Sequence, residues 1–429
     1  MASQIIRQEA ASDQVSSSSS GNENGARKLW YHHLTVDLLV RVAENTFLHP
    51  FAAWMIPLGL RAQATPYTYT SMQVAIIYAI LITLRSLFLL VDKRVAYGAP
   101  RHVDLSREVI VITGGASGVG LLIAEVYGLR GASVAVLDVR ELDATQLMVM
   151  ESKNIHYYTC DIGDRAQVVA AKAKIEKDLG TPTILINNAG MVNGLSLLEL
   201  SPEQIEKNFR VNLFSHFYTL QTFLPGMLRK KRGTIVTVAS VLGHLAARNV
   251  SDYSAAKAGL IALNKALRAE LDALPPSNDG TKSPGSNIKT VLVAPGQIST
   301  PLFAGVITPS TFLGPVLEPV DVAKEIVAAV DAGSSAELAM PFYSRWIVLL
   351  DVLPPGVRRL VRAWSGMDEA MGTFLMRRHA TGGQSSGEGE GQRGEMVEQE
   401  KKKTSELDAW DGSTDEQEDT EDSFEVESE

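Results

Sequence analysis

The stretch from residue 105 to 341 predicts an α/β fold, a single doubly wound parallel sheet. Two observations predict it. Short β-branched apolar runs recur along the stretch with helical patterns between them, and a glycine-rich turn joins the first run to the first helical segment. Strands that are apolar at consecutive positions, rather than alternating, are buried on both faces, as in a parallel sheet covered by helices.

The strands expected, in order, are Glu108–Thr113, Ser133–Asp138, Ile155–Cys160, Thr183–Asn187, Gly233–Ala239 and Ile288–Val293, with Glu337–Pro341 as a last edge strand. Helical segments sit between them, among them Val119–Arg130, Pro202–Leu228 and Tyr253–Leu274. Pro275–Asn287, rich in Pro, Gly, Ser and Asn, reads as a loop.

The flanks read differently. Residues 1–46 begin with a Ser/Gln/Asn-rich tract too poor in apolar residues for a core, and most of this segment is expected to be disordered. Residues 47–94 hold two apolar blocks. Phe47–Leu60 is short for a membrane span; Val74–Val91 is interrupted only by Thr83, Arg85 and Ser86 and is closed by Lys93 and Arg94. A spanning helix needs about 20 apolar residues. The segment reads as a membrane anchor, either a re-entrant hairpin or a tilted span; the alternative is a pair of buried amphipathic helices. Basic residues flank both sides (Arg27, Lys28 and Arg41 before; Lys93, Arg94 and Arg101 after), which suits a hairpin with both ends in the cytosol. Residues 342–380 mix Trp346 and the apolar run Ile347–Leu350 with Arg345, Arg358, Arg359 and Arg362, a peripheral amphipathic segment that suits either a membrane interface or packing on the domain.

The net charge of −9 misleads about the folded part. Residues 381–429, an acidic tail expected to be disordered, carry 17 of the 49 Asp/Glu and only four of the 40 Lys/Arg, so the preceding 380 residues are mildly basic. No dense basic stripe marks a nucleic-acid site. The single cysteine, Cys160, excludes an intrachain disulfide and a cysteine-based metal site, and no metal is expected.

Chemistry concentrates in three places. Gly114, Gly118 and Gly120 follow a strand and open a helix, so backbone can approach a pyrophosphate whose charge meets the helix N-terminus, the arrangement of a Rossmann-type sheet. Asp138 ends the second strand, where a carboxylate accepts from ribose hydroxyls and repels a 2′-phosphate; it can equally serve as a turn former. Arg140 lies two residues on and could pair with such a phosphate. Tyr253 and Lys257 are four residues apart, one turn on one helix face. A nearby ammonium lowers a phenol from its usual pKa of about 10 and lets it exchange a proton near neutral pH.

Together these motifs resemble a classical short-chain dehydrogenase/reductase. Thr113-Gly114-x3-Gly118-x-Gly120, Asn187-Asn188-Ala189-Gly190, the set Asn212, Ser240, Tyr253 and Lys257, and Pro295-Gly296 with Thr300 follow the order of that family's motifs over residues 105–340. The N-terminal anchor, Ala294–Phe303 and Leu317–Ala323 further resemble its 16C group, which includes retinol and 17-beta-hydroxysteroid dehydrogenases of the endoplasmic reticulum and lipid droplets.

The resemblance implies roles for residues. Tyr253 would be the acid/base, Lys257 would lower its pKa and hold the nicotinamide ribose, Ser240 would hydrogen-bond the substrate oxygen, and Asn212 would hold a relay water. Cofactor contacts would come from Thr113, Gly114, Ser117, Gly118, Val119, Gly120, Asp138, Asp161, Ile162, Asn188, Ala189, Gly190, Tyr253, Lys257, Pro295, Gly296, Ile298 and Thr300. Asn188 is expected to steady the central sheet rather than touch substrate, and His216 to pack; His244 is a further pocket candidate. The cofactor expected is NAD, with NADP the rival through Arg140. The substrate expected is a hydrophobic alcohol or carbonyl drawn from a lipid membrane of the endoplasmic reticulum or a lipid droplet, with the catalytic domain in the cytosol and a homodimer as the family's habit. A non-catalytic nucleotide-binding protein on a lipid surface is the rival of another class.

Overall fold

The computed structural model describes residues 35–276, 283–303, 306, 308, 310–368 and 370; the expectations for residues 1–34 and 381–429 lie outside them. Among the described residues seven strands form one parallel sheet in the order β3-β2-β1-β4-β5-β6-β7. They are β1 (Val109–Thr113), β2 (Ser133–Asp138), β3 (Ile155–Thr159), β4 (Ile184–Asn187), β5 (Gly233–Val238), β6 (Ile288–Pro295) and β7 (Ala336–Met340). The expected doubly wound α/β sheet is present; Ser133–Asp138 is found as expected, and the other expected strands are found with ends shifted by one or two residues.

The chain reverses direction across the sheet between β1 and β4, which pair with Thr113 opposite Asn187. Such a reversal opens a crevice beyond the carboxyl ends of the strands, where open α/β sheets bind ligands. Alternate residues of β1 feed two cores. Ile110 and Ile112 pack on one face with Val119, Ile123 and Tyr127 and with Val322, Ile326 and Val330. Val109 and Val111 pack on the other with Val168, Ile175, Phe223 and Leu271. Burial on both faces is why these strands carry no polar alternation.

Among the described residues three α-helices precede the sheet: α1 (Val36–Asn45), α2 (Pro50–Ala62) and α3 (Thr70–Tyr97). The helix α1 falls within the segment expected to be mostly disordered. Thr35 caps it by accepting from Leu38 N, and it docks through Asp37, whose carboxylate accepts from Phe342 N at 2.7 Å. The helices α2 and α3 pack on each other through Ala53, Ala79 and Ile82, with Trp54 Nε1 donating to Thr83 Oγ1 at 3.0 Å. The 28 residues of α3 reach about 42 Å, and by length and composition it is able to cross a membrane. Phe88, Leu90 and other large apolar side chains along it are exposed.

Arg101 does not serve as a surface cation. It is buried, 2.7 Å from the buried carboxylate of Glu108, and its Nε donates to Thr234 Oγ1. That pair ties the entry of the chain into β1 to β5.

The remaining α-helices among the described residues are α4 (Gly118–Leu129), α5 (Ala144–Ser152), α6 (Arg165–Asp178), α7 (Pro202–Phe209), α8 (Ser215–Arg229), α9 (Ser251–Ala273), α10 (Pro319–Asp331) and α11 (Pro355–Ser365). The segment Pro202–Leu228, expected as one regular helix, is broken by a π turn at Arg210–Phe214 between α7 and α8.

Candidate active site

The glycine turn is shaped by two positive backbone angles, φ +64° at Gly114 and +56° at Gly118. Side chains rarely adopt them. Gly120 is held by contact instead: a Cβ there would lie 2.4 Å from the Gly114 carbonyl and 2.7 Å from Asn188 Nδ2. A Cβ at Gly118 would meet only Thr300 Cγ2, at 3.8 Å, so open space lies over the N-terminus of α4. A cradle of this shape, at a helix N-terminus, fits the phosphates of a dinucleotide. Thr300 faces the turn from the segment after β6, beside Ile298, whose carbonyl accepts from Thr300 N at 2.8 Å.

Asn188 steadies this turn. Its Nδ2 donates to the carbonyls of Thr113 and Gly114 at 3.2 and 3.1 Å, and Thr113 Oγ1 accepts from the backbone N–H of Asn188 and Ala189. Asp138, at the end of β2, accepts from Ala116 N at 3.1 Å and Arg140 N at 3.2 Å. The Arg140 guanidinium donates to Ser117 Oγ at 2.5 Å, so a cation stands on the turn next to the Asp138 carboxylate. Asp161 folds back to accept from Gly163 N at 2.8 Å, and Ile162 beside it is buried.

Ser240, Tyr253 and Lys257 are buried together. Ser240 follows β5, and its Oγ accepts from Leu242 N at 3.2 Å. The turn after it presses on α9: a Cβ on Gly243 would lie 2.8 Å from the carbonyl carbon of Lys257. Lys257 Nζ donates to the Val238 carbonyl at 2.9 Å. Behind it, a Cβ on Gly190 would lie 3.7 Å from Lys257 Nζ and 3.1 Å from Asn212 Oδ1. Asn212, in the π turn, exchanges bonds with the Met191 backbone, accepting from its N–H at 3.0 Å and donating to its carbonyl at 2.8 Å. A π turn loosens the regular helical bonding and recurs at functional sites.

Burial sets the proton affinities here. It pushes the Tyr253 phenol above its ordinary range, opposed by a hydrogen bond with Ser240. It pushes the Lys257 ammonium down to about 8. The expectation that Lys257 would draw the phenol downwards gives way to desolvation, which disfavours both charged forms. Tyr253 therefore holds its proton at neutral pH. A neutral phenol beside a serine hydroxyl can donate to a carbonyl oxygen, and after losing its proton can take one from an alcohol.

Several side chains fall elsewhere. His216 is buried, held down to about 3 by burial and by the charge of Lys257. His244 is half-buried, lowered by burial and Lys265 and raised by Asp351 and Glu337; the hydrophobic cluster around Tyr253 does not include it. Cys160 is buried and its thiol is pushed up to about 11, chiefly by desolvation, which leaves it unreactive. Pro295, by contrast, ends β6 at the site, its carbonyl accepting from Ser240 Oγ at 3.5 Å, and the N–H of Gly296, the next residue, donates to the Met340 carbonyl.

Two contacts had no signal in the sequence. Phe303 meets the Tyr253 ring edge-on, centroids 6.1 Å apart at 80°. Met367 packs on the same cluster, with Val192, Ala247 and Val250. Phe303 stood in a recognised segment; Met367 is more than a hundred residues from Tyr253 and follows no periodicity that could have exposed it.

The profile of the short chain dehydrogenase family matches residues 108–308. Over 294 residues the chain is 31% identical to short-chain dehydrogenase/reductase family 16C member 6 of Bos taurus, covering 67% of this chain and 90% of the relative. It is 32% identical over 301 residues to short-chain dehydrogenase/reductase 3 of Homo sapiens, covering 69% and 96%. Retinol dehydrogenase 10 of Rattus norvegicus is 34% identical over 234 residues, covering 48% and 66%.

Proposed function

The chain belongs to the short-chain dehydrogenase family and is an oxidoreductase that uses a nicotinamide dinucleotide; from that premise we propose that it moves hydride between NAD and a secondary or allylic alcohol of a lipid, with Tyr253 as acid/base. The observation that carries the reading is the joint burial of Ser240, Tyr253 and Lys257 at the carboxyl end of the sheet, on the side of the glycine cradle. A relative named retinol dehydrogenase and the apolar helix α3 support a membrane-dissolved substrate.

NAD, when bound, takes up or gives back the hydride. The cradle Gly114–Gly120 would hold its phosphates and Asp138 its adenosine ribose. In the oxidising direction the deprotonated Tyr253 oxygen takes the hydroxyl proton while Ser240 Oγ holds the substrate oxygen; in the reducing direction the phenol returns that proton to the carbonyl oxygen. Lys257 supports the phenolate by charge, and the environment of Asn212 and Gly190 links it to the loop after β4. Phe303 and Met367 make the wall around Tyr253 apolar, as a lipid substrate requires.

A second reading has its own observation. Arg140 lies against Ser117 on the cradle, where a guanidinium could pair with a 2′-phosphate, so the rival is an NADPH-dependent lipid ketoreductase. The test is turnover of retinoids, steroids and long-chain alcohols and their carbonyls by the full chain in detergent, with both cofactors. Conversion of a lipid alcohol with NAD supports the proposal. Activity confined to NADPH, or to water-soluble alcohols, overturns it.

A further inference from the structure

The helix α11 has a divided surface and little to bury it. Val357, Leu360, Val361 and Trp364 share one face at helical spacing, while Arg358, Arg359 and Arg362 share the opposite one. None of its residues is fully buried, and Leu360 and Trp364 are 71% and 77% exposed. The turn before it adds Trp346, Leu349 and Val352, the last 79% exposed. With 11 residues it is too short to cross a bilayer.

The end of this helix is fastened to the candidate active site. Gly366 stops it with φ +63°. The next residue, Met367, packs in the cluster that contains Tyr253. The carboxylate of Asp368 is gripped by Arg362 through two bonds of 2.7 Å and accepts from Arg248 N, in the loop that leads into α9. The orientation of α11 is thereby tied to the walls around Tyr253.

We propose that α11 lies flat on an anionic lipid surface, its Val357–Leu360–Trp364 face among the acyl chains and Arg358 and Arg359 among the headgroups, and so holds the mouth of the Tyr253 site against the membrane. An apolar face alone would fit several occupants; the arginines opposite it and the apolar helix α3 in the same chain select a lipid surface with negative charge. The lipid contact stands on α11 itself, and its consequence for substrate entry rests on the lipid-alcohol reading above.

The test uses the full chain in vesicles of phosphatidylcholine with and without phosphatidylserine. A variant keeps Trp364 and replaces Trp30, Trp54, Trp346 and Trp410 by Phe. Phosphatidylcholine brominated on its acyl chains should quench Trp364, more strongly when phosphatidylserine is present, and Leu360→Asp should remove the quenching without changing NAD affinity or the circular dichroism. In the same vesicles Leu360→Asp should raise KM for a membrane-dissolved alcohol about tenfold and leave kcat unchanged. Trp364 that acrylamide reaches and bromolipid does not overturns the proposal. So does Trp364 shielded from both, which would mean that a protein covers the face. Absence of turnover on lipid alcohols with bromolipid quenching intact overturns the substrate reading and leaves the lipid contact standing.

Discussion

Lys257 Nζ stands 5.5 Å from the centroid of the Tyr253 ring, and the bond it makes is to the carbonyl of Val238, 2.9 Å away. The lysine is thus held by the end of β5 while the tyrosine keeps its proton. The relationship divides the labour: β5 fixes the cation, α9 fixes the phenol, and burial decides that both resist ionisation. Acid/base work then depends on how far a bound substrate and cofactor offset that desolvation.

Removing the phenolic oxygen tests the acid/base role. Tyr253→Phe is expected to lower kcat by about 10²–10⁴-fold, the usual range for a positioned proton donor. NAD affinity, measured by fluorescence titration, should hold within a few fold. Undiminished turnover would remove Tyr253 from the chemistry.

The pH profile follows from the sign of the shifts. Burial raises the Tyr253 phenol and lowers Lys257 to about 8. Alcohol oxidation needs the phenol without its proton, so its kcat/KM should climb steadily from about pH 7 to 10. Carbonyl reduction needs the proton in place, which the raised phenol keeps across that range, so it should stay flat from about pH 7 to 10. An oxidation rate that is already maximal at pH 6 contradicts the raised phenol.

Cofactor choice should turn on two neighbours. Asp138→Ala removes the carboxylate that repels a 2′-phosphate and leaves Arg140 on Ser117. Use of NADP is expected to improve about tenfold or more relative to NAD, and adding Arg140→Ala should reverse most of that gain. Initial rates with both cofactors measure it. No change in the ratio would place the ribose elsewhere.

Crowding at Gly120 predicts a coupled defect. An added methyl meets the Gly114 carbonyl and Asn188 Nδ2 well inside van der Waals contact. Gly120→Ala should cost about 1–3 kcal/mol of stability and weaken nucleotide binding with it. Thermal unfolding with and without NAD reads both.

The buried pair at the start of β1 makes a stability prediction away from the site. Glu108→Ala leaves Arg101 buried without its carboxylate, at an expected cost of about 3–5 kcal/mol. A double variant, Arg101→Met with Glu108→Leu, should recover most of the loss, because an apolar pair of similar volume has no charge to desolvate. Denaturant unfolding compares the three proteins.

Much of this was legible in the residues. Glycine spacing, consecutive β-branched runs and the four-residue step from Tyr253 to Lys257 are local patterns, and each dictates a local conformation. The strands and the cradle followed from them; the grouping of Ser240 with Tyr253 came from the family resemblance, and their joint burial is visible only in the fold. The break at Arg210–Phe214 was not legible, since a π turn and an α-helix share nearly the same apolar spacing over five residues. The helix α1 was missed because it sits in the segment that begins with the polar tract; in the fold Thr35 caps it and Asp37 docks it on Phe342 N.

By itself the sequence determined the succession of strands and helices along the chain, the family and the chemical types at the candidate site, because those are written in short-range spacing. Tertiary structure alone decided that Arg101 is a buried partner of Glu108 rather than a surface cation, that Tyr253 holds its proton more tightly than a free phenol, and that Met367 reaches the same wall as Tyr253. The reason is physical: desolvation and long-range packing depend on what the fold brings alongside a residue, and no periodicity in the chain encodes that neighbour.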